Sequence, residues 1–520
     1  MAFQPNYADM RFISDYPSHG ALRFPSRPAI IGDQGSLTYQ ELDEASNRFC
    51  QWLKNQGYAP GTRIAYLDKN SELMFPALFG SIRAGCVLVP INWRFSPGEL
   101  AYVTNDADAA LLIHGPDLTA TVAAARDQLN SSVQLMSTVE AVGDMPALTT
   151  VLRQGPAPTT PPALDPDLCM LQLYTSGTTG KPKGVMLSHR AVSIARWVEI
   201  GSPDWADWTD DDVILSGMPN FHAGGLGWML TGLLRSLTCV LTADPSASNL
   251  LALSKKFNTT RTFIVPSVVR MLLDELDATQ QTPPGIRSIF YGAAPMDPAL
   301  IERCFKTFGR CTFGNYYGMT EASGTISFLP PSGHDVNRPE LLRSVGRALP
   351  DYQLQIRDPK GQPLAPNQHG EVWVKTDALM SGYWKLPDAT QEVLQDGWYR
   401  TGDGGYLNEE GYLFLTDRIK DMIITGGENV YPIEVEQVLR QHPAVQEIVV
   451  VGVPDEKWGE AVCAVIEWRP GQSATLDELR EFARPNLAAY KLPKLLQSMA
   501  VLPRTATGKL QRAEVRKQFR

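Results

Sequence analysis

The sequence is poor in the pattern that builds disulfide or thiolate-metal frameworks. Its seven cysteines stand at positions 50, 86, 169, 239, 304, 311 and 463, an odd count with wide spacing and no C-x-x-C pair. That argues against a disulfide scaffold or a thiolate zinc site and suits a reducing compartment. The seven histidines are scattered, with no H-E-x-x-H, so a zincin-type centre is excluded. There is no long basic run, and 47 Lys and Arg against 56 Asp and Glu leave a net charge of −9. A nucleic-acid binder of the usual basic kind is therefore disfavoured. The start, MAFQPNYADMRF, lacks a basic segment followed by an apolar run, so no secretory leader is expected. The longest uncharged stretch, 213–234, has membrane-spanning length but holds five glycines, Pro219, Asn220 and His222. A packed loop and helix suits it better than a span. A cytoplasmic protein is expected, and the ending VRKQFR lacks the S-K-L peroxisomal signal.

What the sequence does have fits a folded protein of several units. It runs to 520 residues, 43% hydrophobic and 20% charged, and domains average ~100–200 residues. No internal repeat is found. Short apolar runs alternate with helical stretches: RIAYLD at 63–68, CVLVPI at 86–91, ALLIHG at 110–115, LTCVLTA at 237–243, RTFIVP at 261–266 and SIFYGAA at 288–294. Such alternation predicts α/β units with largely parallel strands. The Pro-rich GPAPTTPPALDPD at 155–167 reads as an exposed connector. After residue 400 the texture changes. GGENVYP opens a helix with Pro432 in its first turn and Val435, Val438 and Leu439 on one face. EIVVVGV and AVCAVIEW follow as strands and LDELREFA as a helix. The expected fold is α/β: a large N-terminal body with packed sheets plus a small C-terminal α+β domain.

The strongest local signal is YTSGTTGKPKG at 174–184. Gly177, Gly180 and Gly184 allow close backbone approach, and successive N–H groups can cradle anionic oxygens. Thr175, Ser176, Thr178 and Thr179 add hydroxyl donors, and Lys181 and Lys183 add charge. Polyphosphate is the natural ligand. The loop is not a Walker A motif, because Pro182 follows Gly180–Lys181 where Ser or Thr belongs.

With four further motifs in order, the chain resembles the adenylate-forming enzymes: acyl-CoA synthetases, adenylation domains of peptide synthetases and beetle luciferases. The motifs are NYYGMTE at 315–321, GWYRTGDGGYL at 397–407, DRIKDMIITGGENVYPIEVE at 417–436 and PRTATGKLQR at 503–512. The resemblance implies two steps: a carboxylate joins the α-phosphate of ATP with loss of pyrophosphate, then a thiol takes the acyl group and releases AMP. Mg2+ and CoA are the implied companions of ATP. Glu321 matches the magnesium ligand and Thr320 a phosphate-contacting hydroxyl; one carboxylate plus phosphate oxygens satisfies magnesium. Tyr317 would stack on adenine or pack in the core. Gly292, Ala293 and Ala294 are small enough to let adenine and the acyl group lie against backbone. Asp403 resembles the ribose-diol acceptor, whose two oxygens suit a vicinal diol; a plain Asp-Gly turn is its bland alternative. Arg418 would be a second ribose or phosphate contact. Lys509 resembles the mobile catalytic lysine that reaches the forming carboxyl-phosphate oxygen.

By the same resemblance the chain divides into a body at 1–417, a hinge at 418–420 and a mobile domain at 421–520. Lys420 is the pivot, and Gly426 and Gly427 line a pantetheine passage. Trp458 contacts CoA or belongs to the core. His222, in FHAGG at 221–225, occupies the place where amino-acid-activating relatives carry an Asp for the α-ammonium, so a free amino acid is not expected. A core histidine is its alternative role. With Val265, Pro266 and Met319 it points to an apolar acyl pocket. The expected activity is an acyl-CoA synthetase for a medium- or long-chain fatty acid, with an aryl or cyclic acid as alternative. Carrier-protein loading, a luciferase-like oxygenase and a non-catalytic nucleotide regulator stay open, as do a homodimer and peripheral membrane contact.

Overall fold

The computed structural model describes residues 12–155, 157, 165–175, 181–201, 207–294, 296, 298–335, 337–418, 421–425, 428–455, 458–504 and 510–519. The largest sheet has nine strands, in spatial order Arg347–Ala348, Gly324–Leu329, Thr312–Met319, Ser288–Gly292, Arg261–Ile264, Val213–Ser216, Thr238–Leu241, Pro28–Ile31 and Ser36–Thr38. Its inner pairings are parallel, and antiparallel pairing is confined to the edges. Successive strand residues face opposite sides. Ile289 and Tyr291 pack under the helices Ala247–Phe257, Pro266–Thr279 and Pro298–Phe308, while Phe290 joins the core on the other face.

A second sheet of seven strands runs Gly382–Tyr383, Lys183–Ser188, Cys169–Thr175, Val87–Pro90, Arg63–Leu67, Ala109–His114 and Gln134–Ser137. The helices His189–Gly201 and Ala223–Leu234 contribute to a hydrophobic core shared by both sheets. The uncharged stretch 213–234 thus folds as a strand, a turn and a buried helix. Among the described residues no helix is long and apolar enough to cross a membrane.

A third sheet, Gln353–Arg357, Gly370–Lys375, Trp398–Leu407 and Leu394–Gln395, carries Leu413–Arg418 beside Trp398–Leu407. The last hundred residues form their own sheet from Glu428–Val430, Ile423–Thr425, Gly459–Trp468 and Val445–Asp455, with Leu495–Ser498 on Gly459–Trp468. Val435, Leu439 and Leu479 fill one face of this sheet, and Val515 packs with Val449, Val451 and Val465 on the other. Pro432 begins the helix Pro432–Leu439, where its missing N–H costs nothing. The helix Leu476–Ala483 starts from a capping box of Thr475 and Glu478. His369, beside the third sheet, stacks on Tyr431 of this unit at 5.9 Å.

Candidate active site

The two ends of the motif at 174–184 lie on paired strands. Cys169–Thr175 and Lys183–Ser188 pair antiparallel, with Thr175 opposite Lys183. Its base is anchored from outside: the Tyr102 hydroxyl donates to the Pro182 carbonyl at 3.4 Å, and Tyr174 donates to Asp106 at 2.6 Å. Lys181 is exposed and passes 5.3 Å from the Tyr102 ring centre. Lys183 lies 5.0 Å from the ring centre of Tyr383.

Tyr383 is the link to the second motif. It pairs with Val185 in the sheet, and its hydroxyl donates to Glu321 Oε1 at 2.9 Å. Glu321 sits in the single 3-10 turn Thr320–Ala322, which follows the strand Thr312–Met319; the Met380 N–H donates to the Glu321 carbonyl. The third motif joins through Tyr317, whose hydroxyl donates to Asp403 Oδ2 at 2.7 Å. Asp403 pairs across strands with Arg418, and its N–H donates to the Thr401 hydroxyl at 3.1 Å. Burial pushes the Tyr399 hydroxyl well above the usual phenol range, reinforced by Glu321, Tyr383 and Asp403 around it. The Tyr399 phenol therefore stays protonated, while Tyr317 and Tyr383 donate to the carboxylates of Asp403 and Glu321.

Three motifs whose starts lie 82 to 223 residues apart are thereby brought together. Sequence reading missed the connecting residues Tyr383 and Tyr399. Tyr399 lay inside a quoted motif, whereas Tyr383 had no local signal. Tyr317 is buried and bonded to Asp403, so the two residues read separately act as one unit. Gly292 ends the strand Ser288–Gly292, where an added Cβ would collide with the Tyr316 carbonyl. Ala293 follows in the left-handed region at φ 64°, a strained conformation for a residue with a Cβ and one that gathers at ligand sites. Ala293 is exposed and Ala294 half-buried beside it.

On the other side of the Thr312–Met319 strand lies an apolar wall. His222 precedes the helix Ala223–Leu234 at its N-cap position, and its ring lies tilted against Phe221 with ring centres 4.5 Å apart. Its Nε2 is enclosed and meets no hydrogen-bond partner. Burial, aided by the nearby Arg94 charge, pushes its pKa down to about 4, so the imidazole is neutral. Beyond it, Phe263 lies tilted against Tyr316 at 5.6 Å, Tyr316 stacks on Phe290 at 5.3 Å, Phe290 is tilted to Trp228 at 5.4 Å and Trp228 meets Trp208 edge-on at 5.7 Å. Val265 and Pro266 are buried and Met319 half-buried. Trp458 is far from core-like: it is 40% exposed, with the Lys494 ammonium 3.9 Å over its ring.

Lys509, Ser176, Gly177, Thr178, Thr179, Gly180, Lys420, Gly426 and Gly427 lie outside the described residues. The residues that are described fit the nucleotide and its cation. Glu321 offers one carboxylate held by a neutral donor, and no cluster of three or more potential metal ligands occurs among the described residues. Such a donor set suits a cation that completes its shell with phosphate oxygens and water.

The model of the AMP-binding enzyme family matches residues 18–384, and that of the AMP-binding enzyme C-terminal domain matches 434–509. The chain belongs to the AMP-binding enzyme family. It is a ligase of the adenylate-forming kind, a class that works with ATP, Mg2+ and CoA. Among its relatives, a fatty acid–[acyl-carrier-protein] ligase of Streptomyces coeruleorubidus is 39% identical over 95% of this chain and 94% of its own length. A feruloyl-CoA synthase of Amycolatopsis is 35% identical over 98% and 99%. An o-succinylbenzoate CoA synthetase from Bacillus subtilis, solved with its acyl-adenylate intermediate, superposes with a TM-score of 0.84. It is 30% identical and covers 96% of this chain and 97% of its own. That solved AMP-binding enzyme shares the fold described above.

Proposed function

We propose that this AMP-binding enzyme is an acyl-CoA synthetase that activates a medium-chain fatty acid through its acyl-adenylate. The observation that carries the reading is the linkage of Lys183, Glu321 and Asp403 through Tyr383, Tyr317 and Tyr399. In this reading the Asp403 carboxylate, beside the Tyr317 hydroxyl, takes the ribose diol, and Ala293 and Ala294 flank adenine. The Thr175–Lys183 loop, with Lys181 and Lys183, wraps the triphosphate, and Thr320 donates to a phosphate oxygen. Glu321 would hold Mg2+, which supplies charge neutralisation among the phosphate oxygens. The acid carboxylate attacks the α-phosphorus, the bond to pyrophosphate breaks, and Lys509 neutralises charge on the joined oxygens.

The substrate reading rests on the wall from His222 to Trp208. Neutral His222 contributes one hydrogen bond and no charge, which suits a carboxylic acid without an ammonium group. In this reading the aromatic cluster of Phe263, Tyr316, Phe290, Trp228 and Trp208 would close the far end, favouring a medium over a long chain. An aryl acid is the second reading, favoured by the same rings, which can stack on it. For the thiol step, residues 421–520 turn about 418–420 relative to 1–417, with Lys420 as pivot, Gly426 and Gly427 along the passage, Arg418 near the ribose and Trp458 at the CoA entrance.

The test is AMP release from ATP across fatty acids of graded length, aryl acids and α-amino acids, each with CoA, with a carrier protein and with no acceptor. The reading expects thioester and AMP with CoA, best for medium chains. Activity on amino acids, or AMP release only with a carrier protein, would overturn the substrate or the acceptor assignment respectively.

A further inference from the structure

Helix His189–Gly201 carries a buried ion pair behind the site that none of the motifs announces. Arg196 and Glu199 are 4% and 2% exposed. Arg196 Nη2 donates to Glu199 Oε1 at 2.7 Å and to the Ser323 carbonyl at 3.4 Å. The other oxygen of Glu199 accepts from the Thr231 hydroxyl at 3.2 Å, and Thr325 also bonds this carboxylate. One guanidinium therefore touches two helices and the segment that follows Glu321.

The fit is specific to that guanidinium. A Cβ at Gly227, in the helix Ala223–Leu234, would strike Nη1; a Cβ at Gly324, where φ is +131°, would strike Nη2. Ser323 closes the turn Thr320–Ala322 in the left-handed region at φ 57°. Its hydroxyl is tied to the Ala378 carbonyl at 2.7 Å. The turn that presents Thr320 and Glu321 is thus gripped by Arg196 at its last carbonyl, by Ala378 at its side chain, and by Tyr383 at Glu321 itself. Buried ion pairs are poor stabilisers, since an apolar pair of similar volume does as well or better. This one joins the helix that begins at His222 to the turn that carries Glu321. Its value lies in geometry.

We propose that Arg196, oriented by Glu199, is a positioning residue for adenylation: through the Ser323 carbonyl it fixes the turn that aims Thr320 and Glu321 at the nucleotide and its cation. The proposal rests on the reading of Glu321 as the cation ligand. Arg196→Met alone leaves Glu199 buried without its cation and risks misfolding. The informative variants are Arg196→Met/Glu199→Leu, which replaces the pair by apolar groups, and Arg196→Lys, which keeps the charge but cannot reach Glu199 and Ser323 in one plane. Three quantities are measured: thermal unfolding, Mn2+ affinity by electron paramagnetic resonance with α,β-methylene-ATP present, and kcat and KM for pyrophosphate release.

The double variant should unfold at or above the wild-type temperature. Its Mn2+ affinity should nevertheless fall ~10–10²-fold, as outer-shell losses do at metal sites, and kcat should fall up to ~10²-fold, as misplaced reacting groups do. The KM for the acid should stay near wild type. If the double variant does not fold, Arg196→Lys is read by the same criteria. Wild-type Mn2+ affinity and kcat in a folded variant would reduce the pair to a structural role and overturn the proposal. Glu321→Gln separates the premises: unchanged Mn2+ affinity there defeats the cation assignment, whatever Arg196 does.

Discussion

Replacing Tyr383 by Phe removes one oxygen and isolates the contact that ties Glu321 to the strand Lys183–Ser188. The ring stays, so the packing of a residue only 7% exposed is preserved, as is its register opposite Val185. What is lost is the 2.9 Å bond to Glu321 Oε1 and the hydroxyl shared with Tyr399. A hydrogen bond to a charged group is worth ~1.5–3 kcal/mol. Glu321 is half-buried and recovers part of that by hydration, so the stability cost should be ~1 kcal/mol or less. The remainder appears where the carboxylate must be held still. That remainder is ~0.5–2 kcal/mol, and at ~1.4 kcal/mol per factor of ten kcat/KM for ATP in pyrophosphate release should drop ~2–30-fold. Added Mg2+ should restore part of the loss, because an ill-oriented carboxylate weakens binding before it abolishes it. The assay is steady-state pyrophosphate release over an ATP and Mg2+ matrix, beside thermal unfolding. Unchanged kcat/KM at limiting Mg2+ in a folded variant would refute the idea that Tyr383 orients a functional carboxylate.

Three other outcomes are expected. His334 donates from Nδ1 to the Pro330 carbonyl and accepts at Nε2 from the Tyr291 hydroxyl, both at 3.0 Å, a neutral pairing, and burial pushes its pKa and that of His189 to about 4. Because the unfolded chain takes up these protons more readily, stability is complete above pH ~6.5 and is lost as pH falls toward ~4, by ~2–4 kcal/mol for each histidine; unfolding temperatures that stay flat across that window would contradict this. Lys509→Ala should nearly abolish pyrophosphate release, by ~10²–10³-fold, yet still convert synthetic acyl-adenylate and CoA to thioester; parallel loss of both in a folded variant would count against separate domain faces for the two steps. Trp228→Ala, which opens the stack beside Phe290, should shift the acid preference toward longer chains, read from kcat/KM over a chain-length series, at a stability cost of ~3–5 kcal/mol.

Local signals in the sequence carried far for elements and motifs. RIAYLD and ALLIHG fold as the strands Arg63–Leu67 and Ala109–His114, and LDELREFA is the helix Leu476–Ala483. Where runs were read too long the backbone gives the reason: SIFYGAA stops at Gly292 because Ala293 turns left-handed at φ 64°. Of LTCVLTA only Thr238–Leu241 pairs as a strand. The charged and hydroxyl residues proposed for the site stand out as candidates in the sequence, since hydroxyl-rich glycine loops and isolated carboxylates suit phosphate and diol partners. Their supports did not. Tyr383 meets Glu321 across 62 residues, and Arg196 meets Ser323 across 127. No periodicity or spacing predicts a contact of that range, because it is set by which strands of two sheets come to face each other.

The central claim is that the carboxylate attacks the α-phosphorus of ATP. It is tested most directly by a single turnover with an acid carrying heavy oxygen in its carboxylate, followed by mass analysis of the nucleotide after CoA is added. The account predicts one labelled oxygen in AMP, none in pyrophosphate, and no ADP. Label in inorganic phosphate with ADP as product, or unlabelled AMP alongside thioester, would contradict it.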